Sequence, residues 1–149
     1  MSSLEISSWT RHGFEITTDK SRLDRDSILK MLGATYWARD VSKEDLWTSI
    51  ENSRAYGLYS PQGEQAGFAR MVTDYTRFAW MSDVYILPIH RGEGLGKWLV
   101  ETMLNDPALA AVRRIMLSTN DAHSLYQRFG FTAIGDDAEE ARITMQLKR

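Results

Sequence analysis

The sequence predicts an α/β domain in which about four helices flank a mixed sheet of about six or seven strands. Two observations lead to this prediction. Segments rich in apolar, aromatic and β-branched residues follow one another in the middle of the chain, and segments with helical periodicity lie on both sides of them. The length of 149 residues suits one domain with a substantial core. We therefore expect a single domain over residues 1–149, with residues 1–10 as a loose N-terminal tail.

The N-terminal third is predicted to contribute one strand and two helices. FEITT at 14–18 has the composition of a short strand. A helix is predicted over 24–32, because Asp24 suits an N-cap and apolar residues share one face of the segment. A second helix is predicted over 42–52, where Ser42 is followed three residues later by an acid, as in a capping box. The apolar face of the first helix consists of Ile28, Leu29 and Leu32.

The middle of the chain predicts an antiparallel meander and then a helix. Apolar and aromatic segments at 55–60, 66–74 and 77–88 are separated by short turns, one of which contains Pro and Gly, and this pattern is typical of consecutive antiparallel strands. A helix is then predicted to begin near Gly94 and to end near Pro107. Its apolar face is formed by Leu95, Trp98, Leu99, Thr102 and Met103.

The C-terminal part predicts three more strands and a fourth helix. RRIMLST at 113–119 has strand composition, as do FTAI at 131–134 and RITMQL at 142–147. A helix is predicted over 122–129, with Gly130 in the position of a C′ glycine.

The composition argues against several classes of protein. A formal net charge of −2 leaves no basic excess, so no nucleic-acid partner is expected. No run of about 18 apolar residues is present, so no membrane span is expected. The chain has no cysteine, and its three histidines show no ligand spacing. We expect a cytoplasmic protein without a metal.

The segment HRGEGLGKW at 90–98 has the composition of a phosphate-binding loop. It does not fit a Walker A loop, because Arg91 stands where the first glycine is required and Trp98 replaces the metal-binding hydroxyl. It does not fit a dinucleotide fingerprint either, because its glycines recur at every second position and the strand before it closes a meander. An unrelated nucleotide-binding α/β domain is therefore the least favoured alternative.

The same segment fits the pattern R-x-x-G-x-G between a strand and a helix. Glycines let a backbone approach an anion closely, and the first turn of a helix offers unpaired amides and a partial positive charge. Arg91 and Lys97 add positive charge, so the loop predicts anion binding without a metal. The pattern is matched by Arg91, Gly92, Glu93, Gly94, Leu95 and Gly96.

A second motif lies in DAHSLYQRFGF at 121–131. Together the two motifs resemble motifs A and B of the GNAT superfamily, the acyl-CoA-dependent N-acyltransferases. Their order, their separation by one predicted strand and the element order of the chain also resemble that family. The resemblance covers most of residues 14–147 and is sharpest over 83–98 and 120–131. The motif B pattern A-x-x-L-Y-x-x-x-G-F is matched by Ala122, Leu125, Tyr126, Gly130 and Phe131.

The resemblance implies a GNAT-like fold and acetyl-CoA as the acyl donor. It implies that the loop from Arg91 to Lys97 holds the pyrophosphate of coenzyme A. The strand before the loop would splay from its neighbour, so that backbone groups bond the pantetheine arm. Asn120 is expected either to bond that arm or to cap the following helix, a position that favours Asn. The strand residues implied for the pantetheine are Val84, Tyr85 and Ile86.

The resemblance also implies an N-acetyltransferase in which a primary amine of a small molecule attacks the thioester directly. Tyr126 is the expected general acid for the leaving thiolate, and the alternative is that it only packs on the apolar helix face. Asp83 is the expected base or amine anchor, and the alternative is a structural salt bridge, because a buried carboxylate needs a partner. His90 and His123 are weaker candidates.

Strand alternation predicts which face of the sheet Asp83 occupies. With a period of two, Asp83 and Tyr85 would share a face with Met81. The opposite face would carry Trp80, Val84 and Ile86.

The acceptor amine is expected to bind near residues 33–47, which in the family form a wall of the acceptor pocket. The expected substrate-binding residues are Tyr36, Trp37, Asp83 and Tyr85, because aromatic faces and a carboxylate suit an amine. The alternative for Trp37 is that, like Trp47, it packs helices on the sheet.

Two functional alternatives stay open: a non-catalytic acyl-CoA-binding or sensing module of the same fold, and a protein or peptide N-acetyltransferase. A homodimer is also open, because residues 142–147 could form an edge for pairing, although the flanking charges of Arg142 and Lys148 would equally protect a monomer edge.

Overall fold

A computed structural model, which describes residues 5–135 and 143–149, contains eight strands and four α-helices. The strands are β1 Ser8–Arg11, β2 Phe14–Thr17, β3 Arg54–Tyr59, β4 Gln65–Thr73, β5 Ala79–Ile86, β6 Arg114–Thr119, β7 Thr132–Ala133 and β8 Ile143–Lys148. The helices are α1 Arg25–Gly33, α2 Lys43–Glu51, α3 Leu95–Leu104 and α4 His123–Gln127. The predicted α/β class and the predicted order of helices and strands are confirmed.

All eight strands form one mixed sheet in the order β1-β2-β3-β4-β5-β6-β8-β7. The first five make an antiparallel meander, and β6 then joins β5 in parallel. The strand β8 lies between β6 and β7, so the predicted C-terminal segment is not the last strand of the sheet. Arg142 of that segment lies outside the described residues.

The sheet has one strand more than predicted, because residues 8–11 belong to it and not to a loose tail. Ser8–Arg11 pairs with Phe14–Thr17 through a tight turn at His12 and Gly13, whose φ angles are 51° and 83°. The segment SWTR contains a single large apolar residue, Trp9, so hydrophobic patterning gave little sign of a strand.

The two N-terminal helices begin where their caps were predicted. The Asp24 side chain accepts a hydrogen bond from the Ser27 amide at 3.1 Å, which caps α1. Ser42 accepts one from the Asp45 amide at 3.1 Å, which caps α2. Each cap satisfies a backbone donor that a helix leaves unpaired in its first turn.

Helices cover both faces of the sheet and create two apolar clusters. Because side chains alternate along a strand, β3 sends Tyr56 into one cluster and Ala55 into the other. The strand β4 does the same with Ala69 and Phe68. The first cluster packs against α3 and α4, and the second packs against α1 and α2. We refer to these as the α3 face and the α1 face.

The sheet opens between β5 and β6. These two strands share only two pairs of facing residues, Ala79 with Ile115 and Trp80 with Met116. Both strands continue well past that point, β5 to Ile86 and β6 to Thr119, without further pairing to each other. The splayed strand that the sequence motifs implied is therefore present.

A β-bulge at Asp83 reverses the alternation of β5. Arg70 on β4 faces Ser82, and Phe68 faces Tyr85. Ala69 of β4, between them, therefore opposes both Asp83 and Val84 of β5. Asp83 takes a left-handed φ of 56° at this bulge. The shift cannot be seen in the sequence, because a period-two pattern assumes an unbroken strand.

Asp83 and Tyr85 share a face, as predicted, but the prediction that Met81 lies on that face with them is consequently wrong. Val84 and Ile86 pack with Met81 on the α3 face. The Asp83 side chain lies on the α1 face, where it contacts Trp37. Tyr85 follows on the same face, since it pairs with Phe68 of the α1-face cluster.

Candidate active site

A cavity of about 670 Å³ lies at the opening between β5 and β6. Its walls come from both faces of the sheet: the loop after α1 and the bulge of β5 on one side, the start of α3 and helix α4 on the other. It brings together most of the residues singled out in the sequence. These are Tyr36, Trp37, Asp83, Val84, Tyr85, Ile86, Arg91, Gly92, Gly94, Leu95, Gly96 and Tyr126.

Three predicted site residues lie outside this lining. Glu93 and Lys97 line a neighbouring cavity of about 430 Å³, which also touches the β1–β2 turn. Asn120 lines neither cavity and is exposed.

The glycine-rich loop forms the start of α3 as predicted. Gly94 is the N-cap of the helix with a φ of 77°, and Gly92 has a φ of 85°. Both angles are in the left-handed region, which side chains other than glycine adopt only with strain. The first intrahelical bond runs from the Trp98 amide to the Gly94 carbonyl at 3.0 Å. The amides before Trp98 in the first turn are those that a helix leaves for a ligand.

Arg91 folds back over the end of β5. Its Nε donates to the Ile86 carbonyl at 2.8 Å, and its guanidinium lies 5.2 Å from the ring centroid of Tyr85. The side chain is exposed, so its remaining N–H groups can meet an anion at the cavity mouth.

The backbone of β5 turns its free groups toward the opening. The Leu87 amide donates to the Ala66 carbonyl of β4, and backbone groups of successive residues alternate in direction. The backbone N–H and C=O groups of Tyr85 therefore point toward β4, whereas those of Val84 and Ile86 point into the opening. The Ile86 carbonyl accepts there from Arg91, which agrees with that direction.

Asp83 is buried, with 6% of its surface exposed, and each carboxylate oxygen accepts a strong hydrogen bond. The Trp37 indole Nε1 donates to Oδ1 at 2.8 Å, and the Arg70 Nε donates to Oδ2 at 2.6 Å. The carboxylate thus pairs with an arginine, as the salt-bridge alternative predicts, and it also lines the cavity. Its role as base or amine anchor stays a prediction.

Arg70 is the residue of this cluster that the sequence reasoning missed. Its Nη1 donates to the Ser53 hydroxyl at 3.0 Å and its Nη2 to the Ser82 hydroxyl at 3.3 Å. A signal was available, because an arginine between Ala69 and Met71 in an apolar strand is as anomalous as Asp83. Recognising Arg70 as the partner of Asp83 required the register of β4 with β5.

Tyr126 both lines the cavity and packs in the α3-face cluster. Its ring makes an edge contact with Phe131 at a centroid distance of 5.8 Å. Burial disfavours the phenolate and raises the pKa of Tyr126 to about 12, and the charge of Asp121 and the nearby Tyr36 add to that shift. The phenol therefore keeps its proton throughout the neutral range.

Tyr36 and Trp37 carry the loop after α1 across the opening. Their rings meet edge to face at a centroid distance of 4.9 Å. Trp37 is hydrogen-bonded to Asp83 on β5. The Tyr36 hydroxyl accepts a hydrogen bond of 3.3 Å from the backbone amide of Asn120, the residue after β6. The predicted alternative of packing also holds, because Trp37 and Trp47 both pack on the α1-face cluster.

The predicted capping role of Asn120 is wrong. The N-cap of α4 is Ala122, and the Thr119 hydroxyl accepts from the Ala122 amide at 3.1 Å. Thr119, which ends β6, therefore satisfies the backbone donor that Asn120 was expected to satisfy. A hydroxyl at a strand end is a weaker sequence signal than Asn, which explains the error.

The two histidines have other contacts. The His123 Nε2 lies 3.0 Å from the Thr119 carbonyl. His90 makes an edge contact with Phe14 at 5.6 Å and also lines the cavity mouth.

Two further features concern the described part of the chain as a whole. Within residues 5–135 and 143–149, no group of three or more histidine or acidic side chains is placed to hold a metal ion. Over the same ranges, no helix has both the length and the apolar character needed to cross a lipid bilayer.

Comparisons with known proteins agree with this geometry. The family described as "Acetyltransferase (GNAT) domain" matches residues 37–133. A protein of Gibberella zeae named "Putative acetyltransferase FG08082" is 34% identical, over 79% of this chain and 78% of its own length.

Solved structures show the same relationship. A crystal structure of a GNAT-family protein from Xanthomonas campestris pv. campestris is 38% identical, with a TM-score of 0.78 over 85% of this chain and 88% of that one. The PaiA N-acetyltransferase of Thermoplasma acidophilum, solved in complex with coenzyme A, shares the fold at 17% identity. Its TM-score is 0.73, over 91% of this chain and 99% of that one.

Proposed function

This chain belongs to the GNAT family of acetyltransferases, and we propose that it transfers an acetyl group from acetyl-CoA to a primary amine of a small molecule by direct attack. The observation that carries the proposal is the cavity at the opening of the sheet. It joins a helix N-terminus suited to an anion, a buried phenol and a buried carboxylate within one continuous space.

The α3 face would hold the donor. The pyrophosphate would lie on the amides of the glycine-rich loop, where the partial positive charge of α3 and the Arg91 guanidinium favour an anion. The pantetheine arm would continue along β5, bonding the backbone groups that Val84 and Ile86 direct into the opening. Lys97 and Glu93 would flank the phosphate end, and Asn120 would face the outer part of the arm.

The α1 face would hold the acceptor. Tyr36, Trp37 and Tyr85 provide aromatic surface around the Asp83 carboxylate. Of the two roles predicted for Asp83, amine anchor is better supported than general base, because both oxygens already accept hydrogen bonds that fix the carboxylate. Each carboxylate oxygen has a second lone pair, so an amine N–H can still be accepted.

In the proposed reaction the neutral amine attacks the thioester carbonyl carbon, and a C–N bond forms. The tetrahedral intermediate then collapses, the C–S bond breaks, and the amine loses its proton to solvent. Tyr126 would donate a hydrogen bond to the sulfur as it leaves, and the released thiolate would then take its proton from solvent. A thiol ordinarily has a pKa of about 8.5, and the Tyr126 pKa is about 12, so the phenol stabilises the developing thiolate by a hydrogen bond without giving up its proton early.

The test is thiol release from acetyl-CoA with a panel of amines, which should include monoamines, polyamines, aminoglycosides and a short peptide with a free N-terminus. Mass spectrometry should detect an acetylated product in an amount equal to the thiol released. Acetylation of the peptide alone would assign the protein to the peptide N-acetyltransferases. Binding of acetyl-CoA without acetylation of any amine would favour the acyl-CoA-binding module.

A homodimer and a cytoplasmic location stay predictions of the sequence. Sedimentation of the purified protein tests the first, and fractionation of the source cells tests the second.

A further inference from the structure

The backbone of Asp83 has an unusual conformation. Its φ of 56° lies in the left-handed region, where side chains other than glycine are strained. Such a conformation persists only where the surroundings determine it, and it often marks a functional site.

Arg70 makes contacts that can hold Asp83 in this conformation. The short Arg70 Nε–Asp83 Oδ2 bond of 2.6 Å links two adjacent strands at the bulge. The other guanidinium nitrogens donate to Ser53, just before β3, and to Ser82, the residue before Asp83. All three contacts together fix the guanidinium plane, and the plane fixes the carboxylate.

The same carboxylate holds the acceptor loop. Its second oxygen accepts from Trp37, a residue 46 positions earlier in the chain. Trp37 is also in ring contact with Tyr36, which reaches across the opening. A displacement of Asp83 would therefore move the wall of the acceptor pocket as well as the amine anchor.

We propose that Arg70 is a positioning residue of the acceptor site: it fixes Asp83 at the bulge and, through Asp83, the Trp37 indole. This inference rests on the proposed function, since it assigns the acceptor to the α1 face. Arg70 itself is not in the lining of the cavity, and it acts through Asp83.

The first test needs neither an acceptor nor turnover. Five tryptophans give five indole N–H signals in a ¹H–¹⁵N spectrum, and Trp37→Phe identifies the one from Trp37. In Arg70→Met that signal should move upfield, because the indole loses a fixed carboxylate acceptor. Arg70→Lys, which keeps the charge but not the planar contacts, should give an intermediate position.

The matched control for this test is Arg22→Met. Arg22 forms a half-exposed ion pair with Glu15 and should leave the Trp37 signal where it is. A Trp37 signal in Arg70→Met that coincides with the wild-type signal would overturn the inference. If Arg70→Met does not fold, the Arg70→Lys and Ser53→Ala variants carry the test, because each removes part of the contacts that fix the guanidinium and keeps a cation beside Asp83. Both should move the Trp37 signal upfield by less than Arg70→Met would.

The second test separates this inference from the proposed function. With the amine that gives the fastest thiol release, Arg70→Met should raise KM for the amine about tenfold or more, and KM for acetyl-CoA should stay within about twofold. Equal changes in both constants would mean a general loss of structure and would contradict a positioning role. If wild-type protein fails to bind acetyl-CoA at all, the proposed function fails, whereas the indole measurement still decides the role of Arg70.

Discussion

Within the described residues, two arginine–aspartate pairs share the same central contact but lie in different surroundings. In each pair the arginine Nε is 2.6 Å from the aspartate Oδ2: Arg54 with Asp106, and Arg70 with Asp83. The side chains of the first pair are 4% and 0% exposed, and neither residue lines the two cavities described above. The side chains of the second are 15% and 3% exposed, and Asp83 lines the larger cavity.

The further partners of the two aspartates differ as well. Asp106 accepts from the Tyr56 hydroxyl at 2.5 Å and from the Ala108 amide at 3.0 Å, so its bonds tie β3 to the turn after α3. Asp83 accepts from Trp37, which belongs to the wall of the cavity. The same chemical pair is therefore enclosed by protein donors in one place, whereas in the other its aspartate opens to a cavity, where we propose that it anchors the amine.

The largest expected effect is on stability, in Asp106→Asn. Removing one charge of a buried pair leaves the Arg54 guanidinium uncompensated, which costs about 3–5 kcal/mol in unfolding free energy. Urea denaturation followed by circular dichroism measures it. Below the unfolding transition, affinity for acetyl-CoA should stay within about twofold of wild type, and a stability loss below about 1 kcal/mol would contradict the assignment.

Asp83→Asn is expected to show the complementary effect, on acetyl transfer. Loss of the anchoring charge should lower kcat/KM for the amine about 100-fold, which corresponds to about 2.7 kcal/mol of transition-state stabilisation. Steady-state thiol release with varied amine and saturating acetyl-CoA measures this loss. Calorimetric titration with acetyl-CoA is the control, and the affinity of the variant for acetyl-CoA should be close to that of wild type.

Tyr126→Phe is expected to lower kcat about tenfold to 100-fold, because the leaving thiolate loses a hydrogen-bond donor. The Tyr126 pKa of about 12 also predicts that the wild-type rate does not fall between pH 8 and pH 10 through loss of this proton. A pH–rate profile checks the second point. Full turnover by the variant would remove the acid role and leave Tyr126 as a packing residue.

Alkaline pH should lower the unfolding free energy gradually, through three buried tyrosines. Burial raises the pKa of Tyr56, and it raises the pKa of Tyr59 and Tyr126 to about 12. Because the folded-state pKa values lie above the unfolded value of about 10, this stability is complete below pH 10, and the part due to Tyr59 and Tyr126 is lost as the pH rises through 12. The unfolding free energy should fall by up to about 1.4 kcal/mol per pH unit for each tyrosine. Denaturation at pH 8 to 11 measures this slope, and Tyr59→Phe should reduce it.

The smallest effect is expected for a third arginine pair, Arg22 with Glu15, at the surface. Their side chains are 40% and 30% exposed, so solvent screens the contact of 2.8 Å. Glu15→Gln should change the unfolding free energy by less than about 1 kcal/mol, and less still at high salt. A cost comparable to that of Asp106→Asn would show that burial does not control the strength of these pairs.

The sequence was sufficient for the elements whose signals are local. The helix caps at Asp24 and Ser42, the start of α3 near Gly94 and the helical periodicity after it depend on neighbouring residues only, and each was found where expected. The resemblance to the family then indicated which strand would splay. Strand β1 was missed because its four residues carry too little apolar pattern.

The facing of Asp83 and the role of Arg70 depend on strand register, which no local pattern contains. A single bulge moved Asp83 to the opposite face, and that face supplied both of its partners. Asn120 was a similar case. The Thr119 hydroxyl accepts the hydrogen bond that Asn120 was expected to accept, although Asn is more common than Thr at helix N-termini. Candidate residues could thus be named from the sequence, whereas their partners required the fold.

The most direct test of the proposed function measures amine-dependent acetyl transfer by wild type, Asp83→Asn and Asp106→Asn at a temperature at which all three are folded. Acetylated amine and free thiol should form in equal amounts with wild type and with Asp106→Asn, and both should fall about 100-fold with Asp83→Asn. Transfer by Asp83→Asn at the wild-type rate, or thiol release that does not require an amine, would contradict the assignment of the cavity-facing pair to acetyl transfer.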